Sequence, residues 1–192
     1  MKKSLLIIFF SLLYFSSHGQ VLAIKTDLFN PAFLRPLYTI GIEKNISRKL
    51  TSVFTADFGY FEYNRNKTEL FGINKFIDQK GFSIMLELRY YTSRKKELPW
   101  GFFVGPYIRY MSVVKDILVY ENGVLIASRE AKGAYYGGGI LCGYKFNVYK
   151  KRLFIEPLVG LGYGASTFTG IDSGKNDLGE LSRMEISLGY RL

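Results

Sequence analysis

The chain has 192 residues, of which 48% are hydrophobic, 17% aromatic and 22% charged; this composition excludes a disordered or collagen-like chain and indicates one folded unit. Lys and Arg outnumber Asp and Glu by 26 to 16. The single cysteine, Cys142, excludes an intrachain disulfide framework and a zinc site built from several thiolates.

The first predicted element is a signal peptide over residues 1–19. Two lysines precede an apolar run at residues 5–13, and the small residues that follow end at Gly19. The run has about half of the ~20 residues that a membrane-spanning helix needs, so cleavage is preferred to an N-terminal anchor. The only histidine, His18, lies in this leader. The mature chain, 20–192, is therefore predicted to be exported and to lack histidine-based catalysis.

The rest of the chain alternates between apolar and polar residues with a period of two, which is typical of β-strands. The clearest example is the segment 82–90, where Ile84, Leu86 and Leu88 alternate with polar residues. The pattern predicts eight strands, over residues 21–29, 38–43, 50–63, 82–90, 101–120, 124–146, 153–168 and 183–192.

The predicted connections alternate between short and long. Short turns fall at 47–49, 93–99 and 147–152, whereas the longer polar loops are 30–37, 64–80 and 169–180. Short periplasmic turns and longer extracellular loops are typical of outer-membrane barrels. We therefore predict an all-β fold, an eight-stranded antiparallel up-and-down transmembrane barrel with an extended outer hairpin.

Aromatic residues form two predicted belts, as expected where a barrel wall crosses the two membrane interfaces. A soluble, secreted, lipocalin-like carrier is the alternative, and the outward apolar rows argue against it. The periplasmic belt comprises Tyr90, Trp100, Phe102, Tyr144, Phe146, Phe154 and Tyr190, and the outer belt comprises Phe58, Tyr60, Tyr110, Tyr135, Tyr136, Tyr163 and Phe168.

Three short motifs carry a resemblance: Lys-Thr-Asp-Leu-Phe at 25–29, Gly-Ile-Glu at 41–43 and Leu-Glu-Leu-Arg-Tyr-Tyr at 86–91. With them, the mature chain resembles a family of small, functionally uncharacterised outer-membrane β-barrels of Bacteroidota. The segment 189–192 is similar to the C-terminal signal that the outer-membrane assembly machinery recognises, except that Leu192 replaces the usual aromatic residue. The resemblance implies a location and these partners, outer-membrane lipids and assembly machinery, but no activity.

The lumen of an eight-stranded barrel is just wide enough to be filled by side chains. Buried charges must be paired, so we predict an interior salt-bridge network centred on Glu87 and Arg89, with Gly160, Gly162 and Gly164 making room for it. Six acidic and six basic residues face inward by alternation: Lys25, Asp27, Glu43, Asp57, Glu87, Arg89, Arg109, Lys145, Glu156, Arg183, Glu185 and Arg191.

The two longest predicted strands exceed the membrane thickness and should project as the hairpin 113–132. Asn122-Gly123 favours a two-residue type I′ turn, in which partner numbers sum to 245. That register pairs Asp116 with Arg129, and Lys115 with Glu130. It conflicts with an inward Lys145, so we predict one extra residue, as a β-bulge near Gly133 or at 137–139. The projecting ribbon, with Ile117, Val119, Leu125 and Ile126, offers an edge for β-augmentation.

The sequence favours a non-enzymatic outer-membrane barrel with a structural or surface-interaction role, acting through its outer loops and this hairpin. A surface protein or polysaccharide is a possible partner class. Three alternatives remain: a narrow gated channel, a lipid-modifying outer-membrane enzyme, and the soluble carrier. We predict no catalytic residue, no metal and no cofactor, and no nucleic-acid partner because the basic clusters fall in the inner turns.

Overall fold

The computed structural model describes residues 22–28, 37–68, 73–92, 99–121, 124–150, 152–169, 178–180 and 183–192. The predicted signal peptide, with His18 and Gly19, lies outside the described residues, and so does the turn pair Asn122-Gly123. None of the described residues forms a helix long and apolar enough to span a membrane.

The described residues form one antiparallel sheet that closes on itself. From β1 to β7 each strand pairs with the next one in the chain, and β9 pairs with both β7 and β1 to complete the ring. β8 and β9 both pair with β7, so they occupy one strand position of the barrel as two segments, and the ring has eight strand positions. The predicted fold class is confirmed. The strands are β1 (Leu22–Asp27), β2 (Leu37–Asn45), β3 (Leu50–Thr68), β4 (Ile73–Tyr91), β5 (Gly101–Glu121), β6 (Val124–Tyr149), β7 (Leu153–Thr169), β8 (Leu178–Glu180) and β9 (Arg183–Arg191).

The two faces of the wall are the reverse of those in a water-soluble barrel, where apolar residues lie inside and charged residues outside. Over residues 83–90 of β4, Met85 and the charged and polar side chains are buried, while the apolar side chains between them are exposed. The alternation therefore directs the apolar row outward. The buried row includes Ser83, Met85, Glu87 and Arg89, and the exposed row includes Ile84, Leu86, Leu88 and Tyr90.

Four neighbouring strands, β3 to β6, continue past the apolar rows at the outer end. β3 pairs with β4 as far as Thr68 and Asn74, and β4 pairs with β5 as far as Ile73 and Glu121. The prediction of an isolated two-stranded ribbon was therefore wrong, because residues 73–80, predicted as loop, form strand. We call this four-stranded region, β3 from residue 60 to β6 at residue 132, the outer extension.

The register of the β5–β6 hairpin differs from the prediction below its tip. Glu121 pairs with Val124, but Val119 pairs with Ala127, so Ile126 is the one extra residue. Below this bulge the partner numbers sum to 246, and Gly101 pairs with Lys145. An extra residue is thus present, but at the tip and not near Gly133 or 137–139. The predicted cross-strand pairs are wrong by one residue: Asp116 lies opposite Glu130, Ile117 opposite Arg129, and Lys115 opposite Ala131.

The interior is filled by two apolar clusters besides its charged groups. The inner cluster comprises Met85, Tyr91, Phe103, Tyr107, Leu141 and Leu158. The outer cluster comprises Leu37, Phe61, Met111 and Val113, with Tyr135 packed against it.

Two glycines on β7 make room for an aromatic ring. A Cβ added at Gly162 would lie 2.5 Å from the Tyr107 hydroxyl, and one at Gly160 would lie 3.3 Å from the Tyr107 ring. These glycines therefore accommodate Tyr107, whereas the prediction assigned their space to the charged network. The close approach to a charged side chain occurs at Gly41, where a Cβ would lie 2.7 Å from Lys25 Cγ.

Candidate functional site

The lumen holds every charged residue that alternation directs inward. Arg109 and Arg183 are half-buried and the other ten are buried. The ten buried residues are Lys25, Asp27, Glu43, Asp57, Glu87, Arg89, Lys145, Glu156, Glu185 and Arg191.

Glu156, on β7, is the carboxylate with the most cationic neighbours. Its Oε1 lies 2.6 Å from Arg89 Nη1 and 3.1 Å from Lys25 Nζ, and its Oε2 lies 3.4 Å from Lys145 Nζ. These cations come from β4, β1 and β6, so Glu156 links strands on different sides of the ring. Such pairing offsets the desolvation cost of burying each charge.

A second carboxylate, Glu87, joins this group to the β9 wall. Glu87 accepts from Arg89 Nε at 2.7 Å and from Arg183 Nη1 at 2.5 Å. Arg183 also pairs with Glu185, which lies 3.8 Å from Lys25. The charges thus form one continuous network around Glu87, Arg89 and Glu156.

Glu43, on β2, closes the network towards the end of the barrel where β2 and β3 are joined. It accepts from Lys145 and, at 3.0 Å, from the Tyr91 hydroxyl. Below it, Arg191 Nη2 donates to the Pro99 carbonyl at 3.0 Å.

A separate polar cluster lies closer to the outer end, around Asp57. Its carboxylate accepts from Thr39 at 2.9 Å, from Ser83 at 2.5 Å and from Arg109 Nη2 at 3.1 Å. Arg109 also lies over the Phe61 ring, 5.6 Å from its centroid. Charge pairing therefore continues up to the outer apolar cluster.

Aromatic faces cover cations of the network, which the sequence interpretation missed. Arg89 lies 4.5 Å from the Phe103 ring centroid, and Lys145 lies 4.5 Å from that of Phe154. Phe154 was predicted in the periplasmic belt, but it is fully buried in the lumen. Its even-numbered position on β7, shared with the inward Glu156, would have identified this orientation from the sequence.

Of the remaining belt residues, nine are exposed, two are half-buried, one lies inside and one lies outside the described side chains. Tyr135, predicted in the outer belt, packs against the outer apolar cluster inside. Phe168 lies outside the described side chains. Trp100 and Tyr60 are half-buried, and the exposed members are Tyr90, Phe102, Tyr144, Phe146 and Tyr190 at one end and Phe58, Tyr110, Tyr136 and Tyr163 at the other.

Cations on the outer extension pair with carboxylates. Lys80 donates to Asp116 at 2.9 Å, and Lys132 lies 3.1 Å from Glu130. The hydrogen bond from Lys80 to Asp116 raises the pKa of the lysine above its usual value. The ion pair between Lys80 and Asp116 adds a small amount to the stability of the fold. This stabilisation is present at pH values below the usual lysine pKa, and it is lost only as the pH rises through the raised pKa.

Cations at the end of the barrel with the 46–49 and 149–152 turns contact tyrosines on the outside of the wall. Lys49 Nζ lies 5.7 Å from the Tyr90 ring centroid and Lys150 Nζ lies 5.0 Å from that of Tyr149. Arg152 Nη1 donates to the Tyr190 hydroxyl at 3.2 Å. The sequence indicated basic turns here, but not these contacts.

No group of three His, Cys, Asp or Glu side chains is placed to hold a metal in the part of the chain that the structure describes. The charged lumen residues are instead engaged with each other. What the arrangement does physically is fill and cross-link the barrel interior.

Comparisons with known proteins give the fold and the family. The search of curated proteins gives no match. The crystal structure of a major outer membrane protein from Thermus thermophilus matches with a TM-score of 0.53 at 13% identity, covering 91% of this chain and 100% of that one. The crystal structure of Acinetobacter baumannii CarO matches with a TM-score of 0.50 at 9% identity, covering 90% and 96%. At these identities the likeness shows a shared fold, that of outer-membrane β-barrels. The family model described as "Protein of unknown function (DUF3575)" matches residues 5–177, most of the chain, and the chain therefore belongs to this family.

Proposed function

We propose that this protein is an integral outer-membrane β-barrel without enzymatic activity, exported by its signal peptide, with a structural or surface-interaction role. The observation that carries the proposal is the reversed burial of the wall, with charged residues inside and exposed apolar residues outside. On β5 the outward row from Phe102 to Tyr110 covers roughly 20 Å of depth, given ~3.3 Å per residue and a tilt near ~40°. This is close to the ~25 Å apolar band of outer-membrane barrels.

A closed wall supports a structural role better than a channel. The network around Glu156, the Asp57 cluster and the two apolar clusters follow one another along the lumen. Moving an ion along this route would require several buried ion pairs to separate, each at a cost of several kcal/mol, of order ~3–5 for a broken pair. A narrow gated channel is therefore the less favoured alternative.

The first experiment compares boiled and unboiled samples of the purified outer-membrane fraction on SDS gels. A folded barrel migrates differently before boiling, and its wall resists protease. If the protein fractionates as soluble and shows no shift, the proposal fails and a soluble carrier takes its place. The resemblance further implies that the family is one of Bacteroidota, and a survey of the genomes that encode such chains tests this.

The outer extension supports an interaction role because one of its borders is a sheet edge. Within the described residues, β6 pairs with β7 only from Lys132 onward, so residues 124–131 have β5 on one side only. Val124, Leu125 and Ile126 are 65%, 50% and 52% exposed on this edge. A partner β-strand could add to it through main-chain hydrogen bonds. Of the four residues predicted to carry this role, Leu125 and Ile126 lie on this edge, whereas Ile117 and Val119 lie on β5 between two strands.

The interaction role is tested by placing charge on that edge. We expect Leu125→Lys/Ile126→Lys to abolish cross-linking to surface proteins on whole cells, since lysine discourages strand addition. Val148→Lys, on the same strand but at the periplasmic end, is the matched control. Equal cross-linking in both variants would remove the interaction role while leaving the barrel proposal intact.

A further inference from the structure

We propose that the β6–β7 turn, with Lys150, Arg152, Tyr149 and Tyr190, binds the phosphate headgroup of an anionic phospholipid in the inner leaflet. This inference rests on the proposed membrane location. It adds a ligand and a place on the wall that the barrel fold alone does not specify.

Lys150 and Arg152 lie at one end of the wall, in a turn whose third basic residue, Lys151, lies outside the described residues. The Arg152 amide donates to the Tyr149 carbonyl at 2.9 Å, which holds the two ends of the turn together. Lys150 and Arg152 are therefore two residues apart in a tight turn, and both are exposed. Two neighbouring cations match the negative charge of a phosphate better than one.

The flanking tyrosines place these cations at headgroup depth. Tyr149 pairs with Leu153, and Leu153 pairs with Tyr190, so the two tyrosines lie in one row across β6, β7 and β9. They are 59% and 43% exposed on the outside of the wall. Tyrosine is enriched at the membrane–water interface. Since Lys150 and Arg152 contact these same tyrosines, they are directed to the lipid side of the wall and not over the mouth.

The backbone of Lys150 gives an independent indication. Its φ is 44°, in the left-handed region that favours glycine or asparagine and disfavours a long side chain. A lysine kept at a strained position suggests that its charge is used.

The cations at the two ends of the barrel have different partners. On the outer extension Lys80 and Lys132 lie against carboxylates, which already neutralise them. At the periplasmic end Lys49 repeats the tyrosine contact on a second turn. The periplasmic cations are therefore the ones suited to an external anion.

The test measures lipid binding to the purified full-length protein by native mass spectrometry. Phosphatidylglycerol and phosphatidylcholine with identical acyl chains are offered separately at equal concentrations. We expect a several-fold preference for phosphatidylglycerol, lost in Lys150→Gln/Arg152→Gln and kept in the control Lys80→Gln/Lys132→Gln. Equal binding of the two lipids, or an unchanged preference in the first variant, would overturn the inference.

Two further arms separate the explanations. Lys150→Gly should raise the urea midpoint of unfolding because glycine adopts this backbone conformation without strain. The same variant should lower the preference for phosphatidylglycerol because it removes a cation. An unreduced preference would count against the site. Inorganic phosphate should not displace the lipid at equal concentration, and displacement would reject the assignment to a lipid. If the unboiled band shift is present but the preference is absent, only this inference fails, whereas a missing shift removes the proposed membrane barrel.

Discussion

Glu156 shows how single residues hold the barrel interior together. It faces three cations that are themselves fully buried, so its carboxylate neutralises charge that water cannot reach. The main effect of this pairing on stability is that it avoids leaving a buried cation unpaired. An uncompensated buried cation costs much more than the intact pair gains.

We expect Glu156→Gln to destabilise the folded barrel by about 3–5 kcal/mol, the cost typical of breaking a buried pair. The loss should appear as a lower urea midpoint for the unboiled band shift. Glu130→Gln removes a carboxylate from an exposed pair and should change the free energy of unfolding by less than about 1 kcal/mol. Equal effects of the two variants would show that Glu156 is not central.

Gly162 and Gly160 form a matched pair for testing the fit around Tyr107. At Gly162 an added Cβ would lie 2.7 Å from the Gly138 carbonyl as well as 2.5 Å from the tyrosine hydroxyl. We expect Gly162→Ala to cost about 1–3 kcal/mol because the backbone cannot yield. Gly160→Ala meets its neighbours at 3.3 Å and should cost less. The urea midpoints of the two variants decide this, and the reverse order would reject the packing account.

Residue positions followed from alternation wherever it was applied consistently. Parity directed Glu87 and Glu156 inward, and the structure places them there. Parity also governs Phe154, but it was assigned to a belt by its distance from the strand end alone. Which cation meets which carboxylate could not be predicted, because contacts such as Lys25 with Glu156 join residues 131 positions apart.

At the scale of elements, β6 shows two signals in conflict. The Asn-Gly turn sets one register at the tip, whereas the inward position of Lys145 requires another in the wall. The wall prevails because a one-residue slip would turn an entire apolar row inward. The bulge falls at Ile126, near the tip of the hairpin. At this position the inward or outward direction of the side chains affects no residue of the lumen. Turn chemistry predicts only the first pairs of a long hairpin.

We expect deletion of Ile126 to leave the barrel intact, since it removes the extra residue and keeps the register of the wall. Deletion of Cys142 on the same strand should prevent folding because it reverses the faces of β6 on one side of the cut. The unboiled gel shift distinguishes them. A barrel that tolerated the Cys142 deletion would contradict the argument from register.

At the scale of the whole molecule, the fold class followed from period two and from the alternation of short and long connections. The four-stranded outer extension did not, because the polar composition of residues 64–80 is equally typical of a loop. Residues 64–68 and 73–80 form strand in the structure because β4 finds partners on both sides, in β3 and β5. Pairing with distant strands is a tertiary effect that local composition does not record.

A filled lumen predicts an electrically silent protein. We expect planar bilayers containing the refolded barrel to show no steps in conductance above those of bilayers treated with detergent alone. Reproducible single-channel steps would favour the gated channel instead, and Glu156→Gln would then be expected to change their size.

The pairing between β1 and β9 joins the first and last strands of the barrel, so it is the step that closes the ring. Residues 23–27 pair with residues 187–191, so the strand that opens the ring meets the strand that completes it only after every intervening strand exists. Until then the sheet has two bare borders of unpaired amides and carbonyls, which attract foreign strands. Both borders therefore remain open to the addition of a foreign strand until this short pairing is made.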